Sequence, residues 1–166
     1  MLVTDRQLEE AGNALGDALI RKGLTLATAE SCTGGWLAKV LTDRAGSSAY
    51  VMAGLVTYSN DAKRKILGVA ADALAQYGAV SEPVVRQMVA GAVRVAGVDV
   101  AVATSGVAGP GGGSDAKPVG TVWFAWGTGP DNTRAEVLRF DGDRDAVRRQ
   151  AVLYALEQLT GFVNTL

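Results

Sequence analysis

Four short stretches of this sequence concentrate side chains and backbone that can do chemistry. The first is Ala29-Glu30-Ser31-Cys32-Thr33-Gly34-Gly35. A short apolar run leads into it and helical spacing follows, so Ser31 falls at a strand-to-helix turn. Open α/β sheets bind ligands at the carboxyl ends of their strands, and a helix start offers free N–H groups to an anion. Ser31 is therefore a candidate nucleophile, with nearby N–H groups as an oxyanion hole. The alternative is that Ser31 and Thr33 only cap the helix. The second stretch is Tyr58-Ser59-Asn60-Asp61-Ala62-Lys63. With Asn60 as N-cap, Lys63 lies in the first helical turn, where the macrodipole opposes its charge. That field and any burial favour the neutral amine that a general base needs. Tyr58 is placed to donate a hydrogen bond to the nucleophile or the amine. The alternatives are an ion pair between Lys63 and Asp61, or a solvated lysine.

The third stretch runs from Thr104-Ser105-Gly106 through Gly109 to Ser114, followed by Lys117-Pro118-Val119-Gly120. Its glycines let backbone approach a phosphate or a ring closely. It matches neither the Walker pattern nor GxGxxG, so no nucleoside triphosphate is implied. A loop of this length inside a compact domain is usually functional rather than a slack connection. The fourth stretch is Gly142-Asp143-Arg144-Asp145-Ala146-Val147-Arg148-Arg149-Gln150. Three arginines at a helix start make sense around an anionic ligand; salt bridges to Asp143 and Asp145 are the alternative.

Composition removes other chemistries. The 166 residues contain no histidine, which excludes Ser-His-Asp and Cys-His catalysis and any His-ligated zinc. The single cysteine, Cys32, has no disulfide partner within the chain and fits a reducing compartment. Cys32 served by Glu30 and a lysine is a rival nucleophile, although a lone cysteine is more often a small core residue. A formal charge of −1 argues against a nucleic-acid surface. No apolar run approaches the ~20 residues of a membrane span, and residues 1–17 lack an export-signal layout. A cytoplasmic protein with no metal and no cofactor is expected.

The elements that must position these groups alternate. Thr4 is expected to cap a helix that stops at Gly23, and Leu24 to Ala29 to form a buried strand. Helical spacing then resumes from Thr33 to Asp43. A strand from Tyr50 to Tyr58 precedes a short helix ended by Gly68, and Asp72 opens another helical turn. Ser81 and Pro83 start a longer helix that stops near Gly97. Val98 to Thr104 reads as a central strand, Gly120–Gly127 and Arg134–Phe140 as an antiparallel hairpin, and Asp143 as the start of the last helix. Residues 1–166 are thus expected to form one three-layer α/β/α domain, with a mixed, mostly parallel sheet of about five strands.

Together the blocks AESCTGG (29–35), GSSAYV (46–51), VTYSNDAK (56–63), GAVSEPVV (78–85), TSGVAGPGGGSDAKPVGTVWFA (104–125) and GDRDAVRRQA (142–151) resemble the CinA C-terminal domain family. The resemblance implies metal-free hydrolysis of the carboxamide of nicotinamide mononucleotide (NMN) by a Ser/Lys pair. The matching positions are Ser31 and Lys63, with Tyr58 beside them and Ser48 as a second candidate nucleophile. Expected substrate contacts are Glu30, Thr33, Gly34, Gly35, Thr104, Ser105, Gly106 and Gly109, with Arg148 and Arg149 as candidates for the phosphate. The family also implies a homo-oligomer of at least two copies. The resemblance covers one domain of the family's longer members, so their pyrophosphatase activity is not carried over. A non-catalytic nucleotide-binding module is the rival of a different class.

Overall fold

The structure, a computed structural model, describes residues 2–166. Helix α1 (Asp5–Lys22) opens with a capping box between Thr4 and Gln7 and closes at Gly23, which adopts φ 66°. Only glycine takes that left-handed turn without strain. Strand β1 (Leu26–Glu30) follows, then α2 (Trp36–Thr42), a 3₁₀ turn (Ser47–Ala49) and β2 (Val51–Val56). Helices α3 (Asn60–Leu67), α4 (Ala71–Tyr77) and α5 (Glu82–Ala96) lead to β3 (Val100–Gly106). The hairpin β4 (Thr121–Gly129) and β5 (Asn132–Arg139) precedes α6 (Arg144–Thr165).

The five strands lie in the order β2-β1-β3-β4-β5. The three strands β2, β1 and β3 are parallel, whereas β4 and β5 join antiparallel. Every residue of β1 is buried, as is nearly all of β3, because helices cover both faces of the sheet centre. One apolar layer holds Leu15, Leu37, Val102, Phe124 and Leu156 between the sheet and α1, α2 and α6. The other holds Leu67, Val85, Met88, Ala101 and Ala103 under α3, α4 and α5. Strand β2 is an edge and alternates between half-buried and exposed residues, as an uncovered edge strand should.

Several local expectations shift. The helix expected from Thr33 begins at Trp36, and neither Ser31 nor Thr33 caps it. Its N-cap, Gly35, lies at φ 97° with no side-chain bond. The buried Glu30 carboxylate takes over that task, accepting the N–H groups of Leu37 (2.9 Å) and Ala38 (3.0 Å). Ser59, not Asn60, caps α3, accepting from the Ala62 N–H at 3.0 Å. Ser81 precedes α5 as expected but bonds backward to the Gly78 carbonyl. The third strand also runs on through Ser105 and Gly106, because pairing with β4 continues to Val122.

Candidate active site

Ser31 directly follows β1, and its N–H donates to the Thr104 carbonyl at 3.0 Å, extending the sheet ladder by one residue. Glu30 aligns with Thr104 in the parallel β1–β3 pair, so Ser31 and Ser105 stand side by side at the carboxyl ends of neighbouring strands. The connection after β1 crosses one face of the sheet toward β2, whereas β3 continues toward β4. The crevice between the two strand ends is therefore a topological switch point, the usual ligand position in open α/β sheets.

Lys63 enters this crevice from α3. Its side chain is buried at 1% relative exposure, a rare state for lysine. Its Nζ lies 2.8 Å from Ser31 Oγ, 2.8 Å from the Thr57 carbonyl oxygen and 3.2 Å from the Tyr58 carbonyl oxygen. An ammonium fills all three directions by donation. A neutral amine gives two N–H bonds to the carbonyls and turns its lone pair to the Ser31 hydroxyl. Burial pushes the Lys63 pKa down from 10.5 to about 8, against a smaller opposing influence of Cys32. No carboxylate lies within salt-bridge reach of Lys63 among the described residues; Asp61 pairs with Arg64 and Lys65 instead.

The cavity over this pair has a volume of about 280 Å³, just below the ~300–1,000 Å³ typical of ligand pockets. Ala79, Val80, Val107 and Ala108 give it apolar walls, and Ser105, Gly106 and Gly109 lie along the β3 side. Among the described residues its only charged lining groups are Lys63 and Arg144, with no carboxylate. Arg144, the first residue of α6, donates to the Gly109 carbonyl at 2.8 Å and to the Tyr58 hydroxyl at 3.2 Å. The Tyr58 side chain is 62% exposed, so Tyr58 meets Lys63 through its carbonyl rather than its ring.

Other expected site residues lie elsewhere. Glu30, Thr33 and Thr104 sit beneath the nucleophile turn. Thr33 Oγ donates to Glu30 at 2.7 Å and lies 2.8 Å from Thr104 Oγ. Gly34, Gly35, Arg148 and Arg149 line a second cavity around Trp36, separate from the first. Arg149 is paired with Asp5 at 2.5 Å and Asp145 at 2.8 Å, while Arg148 donates to the Cys32 and Thr33 carbonyls. Ser48 is exposed in the turn before β2. Because β2 runs parallel to β1, that turn lies at the opposite end of the sheet from Ser31. Cys32 is buried, and burial with Glu30 nearby pushes its thiol up to about 12, which removes the thiolate a nucleophile requires. Arg144 is one of the three arginines expected around an anion, but Arg148 and Arg149 were singled out for the phosphate instead. Its place at the start of α6, beside the Asp143 cap and against the helix dipole, was the available signal.

A five-stranded α/β sheet with a serine and a buried lysine at its switch point defines a class of site, and comparison with known proteins gives the family. The model of the CinA C-terminal domain matches residues 8–163. The chain belongs to that family. It is 58% identical over 159 residues to the nicotinamide-nucleotide amidohydrolase PncC of Escherichia coli K12, covering 95% of each chain. It is 57% identical over 157 residues to the protein of that name from Shigella flexneri, again covering 95% of both. A crystal structure of a CinA superfamily protein from Klebsiella pneumoniae superposes with a TM-score of 0.92 at 44% identity, over 96% of this chain and 99% of that one.

Proposed function

We propose that this protein hydrolyses the carboxamide of NMN to nicotinic acid mononucleotide and ammonia. The observation that carries the mechanism is the Lys63 amine, held by two carbonyls with its third direction on Ser31 Oγ at 2.8 Å. Neutral Lys63 takes the Ser31 proton as Oγ attacks the amide carbon. The oxyanion is met by backbone N–H groups of the Ser31 turn and of the loop after β3. As the intermediate collapses, protonated Lys63 passes its proton to the departing nitrogen and ammonia leaves. Water then attacks the Ser31 ester with Lys63 again as base, releasing the acid and regenerating the hydroxyl.

The cavity's charge supports the substrate. Two cations and, among the described residues, no carboxylate suit a phosphate, and the lining residue Arg144 supplies a guanidinium fork for it. The pyridinium ring fits against the apolar walls and withdraws electrons from the amide. The names of the enzymes to which the chain is 57–58% identical support the same reaction. This reading includes a cytoplasmic salvage role for pyridine nucleotides, a homo-oligomer of at least two copies, and no cofactor. Among the described residues no helix is long and apolar enough to cross a membrane, and no group of three or more His, Cys, Asp or Glu could hold a metal.

The test is an ammonia-release screen over NMN, nicotinamide, nicotinamide riboside and NAD. Turnover fastest with NMN is expected. Binding of NMN without ammonia release would favour the non-catalytic module instead.

A further inference from the structure

Arg148 is the guanidinium whose position the proposed chemistry leaves unexplained. It projects from α6, yet its Nε donates to the Cys32 carbonyl at 3.1 Å and its Nη2 to the Thr33 carbonyl at 3.2 Å, contacts that span more than a hundred residues of sequence. It has no carboxylate partner among the described residues, whereas its neighbour Arg149 has two. Both guanidiniums pack on Trp36, at 5.4 Å for Arg148 and 5.0 Å for Arg149 from the ring centroid. We propose that Arg148 is a positioning residue for Ser31, gripping the nucleophile turn through two consecutive peptide carbonyls. The proposal rests on Ser31 being the nucleophile.

The geometry shows how the grip is transmitted. A rigid planar fork on adjacent carbonyls fixes two peptide planes at once, which a lysine point charge cannot do. In a trans peptide the C=O and N–H point in opposite directions, so holding the Thr33 carbonyl outward turns the Gly34 N–H inward. That N–H donates to the Ser31 carbonyl at 3.0 Å, which carries the constraint to the nucleophile's own peptide. From beneath, the Glu30 carboxylate holds Thr33 Oγ and the Leu37 and Ala38 N–H groups. The turn is thus clamped from both sides. The guanidinium also packs closely over Gly34. That glycine sits at φ 60°, and a Cβ there would come within 2.9 Å of Arg148 Nη2. Lys63 reaches the site from α3 and shares no partner with Arg148. Loss of Arg148 should therefore misplace Ser31 without altering its base.

The experiment compares Arg148→Lys, Arg148→Gln and Arg148→Met with the wild type. The readouts are kcat, KM, the pH profile with NMN, thermal unfolding, and the rate at which a fluorophosphonate probe labels Ser31. Misplacing a reacting atom by about an ångström costs ~100-fold, so a fall of roughly 10- to 100-fold in kcat is expected for Arg148→Lys and Arg148→Gln. KM should stay within about twofold, the acid limb of the profile should not move, and probe labelling should slow by the same factor as kcat. Arg148→Met, which keeps the apolar stem but removes the fork, should do likewise and serves if the other Arg148 variants do not fold. Wild-type kcat in Arg148→Lys would overturn the grip in favour of charge alone. A rise in KM with kcat unchanged would make Arg148 a substrate contact instead. If the wild type releases no ammonia from NMN, the proposed function fails, and the probe rates alone decide the positioning claim: equal labelling of wild type and variants overturns it.

Discussion

The pH dependence of the reaction follows from where Lys63 is buried. Burial brings its pKa from 10.5 to about 8, a preference for the neutral amine on the order of 3 kcal/mol. At pH 7 an ordinary lysine is neutral in about three molecules in ten thousand, and Lys63 in about one in ten, so burial raises the competent fraction roughly 300-fold. The log of kcat/KM for NMN should rise with a slope near one below pH 8 and level off above about pH 9. Activity at pH 6 should then be roughly 100-fold below the plateau. The same burial carries a stability cost with a defined sign. Below about pH 8 the ammonium is desolvated in the folded state, and that cost fades as pH rises toward 10.5, where the unfolded chain also loses the proton. Lys63→Arg keeps the charge and cannot deprotonate, so it should be nearly as inactive as Lys63→Ala, at least ~1,000-fold below the wild type. Ammonia release across pH 5.5–10 for both proteins is the assay. A wild-type rate independent of pH between 6 and 9, or an active Lys63→Arg, would refute the general base.

Nicotinamide riboside, which lacks the phosphate, should be turned over roughly 10- to 100-fold less efficiently than NMN, the scale of one charge-assisted contact. Arg144→Ala should lower kcat/KM for NMN and close most of that gap; a gap of unchanged size would remove Arg144 as the anchor. EDTA should leave the rate unchanged, since the chain has no histidine and one cysteine. Loss on chelation with recovery on adding a divalent ion would contradict that mechanism. Gly91→Ala should destabilise the fold by about 1–3 kcal/mol in urea unfolding, because a Cβ at Gly91 would meet the Leu67 carbonyl oxygen at 2.0 Å. An unchanged midpoint would mean that α3 shifts freely against α5.

The layered sheet was legible because its signals are local. Thr4 and Gly23 bound α1, β1 and β3 are apolar throughout, and a short turn joins β4 to β5. Ser31 was legible for the same reason, since a strand running into a glycine-rich helix start presents that residue at the sheet's carboxyl end. The position of Ser48 also follows from topology, because a residue that precedes a parallel strand lies at the other end of the sheet. Which arginine meets the cavity depends on how α6 packs, and that information is not local. Arg144 and Arg148 lie one turn apart on the same face of α6, yet one reaches Gly109 and Tyr58 and the other Cys32 and Thr33. The role of Glu30 was hidden similarly. A carboxylate closing a strand reads as a ligand contact until α2 is seen to start without a side-chain cap.

An ester on Ser31 during NMN deamidation is the intermediate that hydroxylamine intercepts. With NMN and hydroxylamine present, the wild type should divert product from nicotinic acid mononucleotide to its hydroxamate, while Ser31→Ala should yield neither hydroxamate nor ammonia. Ammonia release by Ser31→Ala at a rate within about tenfold of the wild type would exclude Ser31 as the nucleophile.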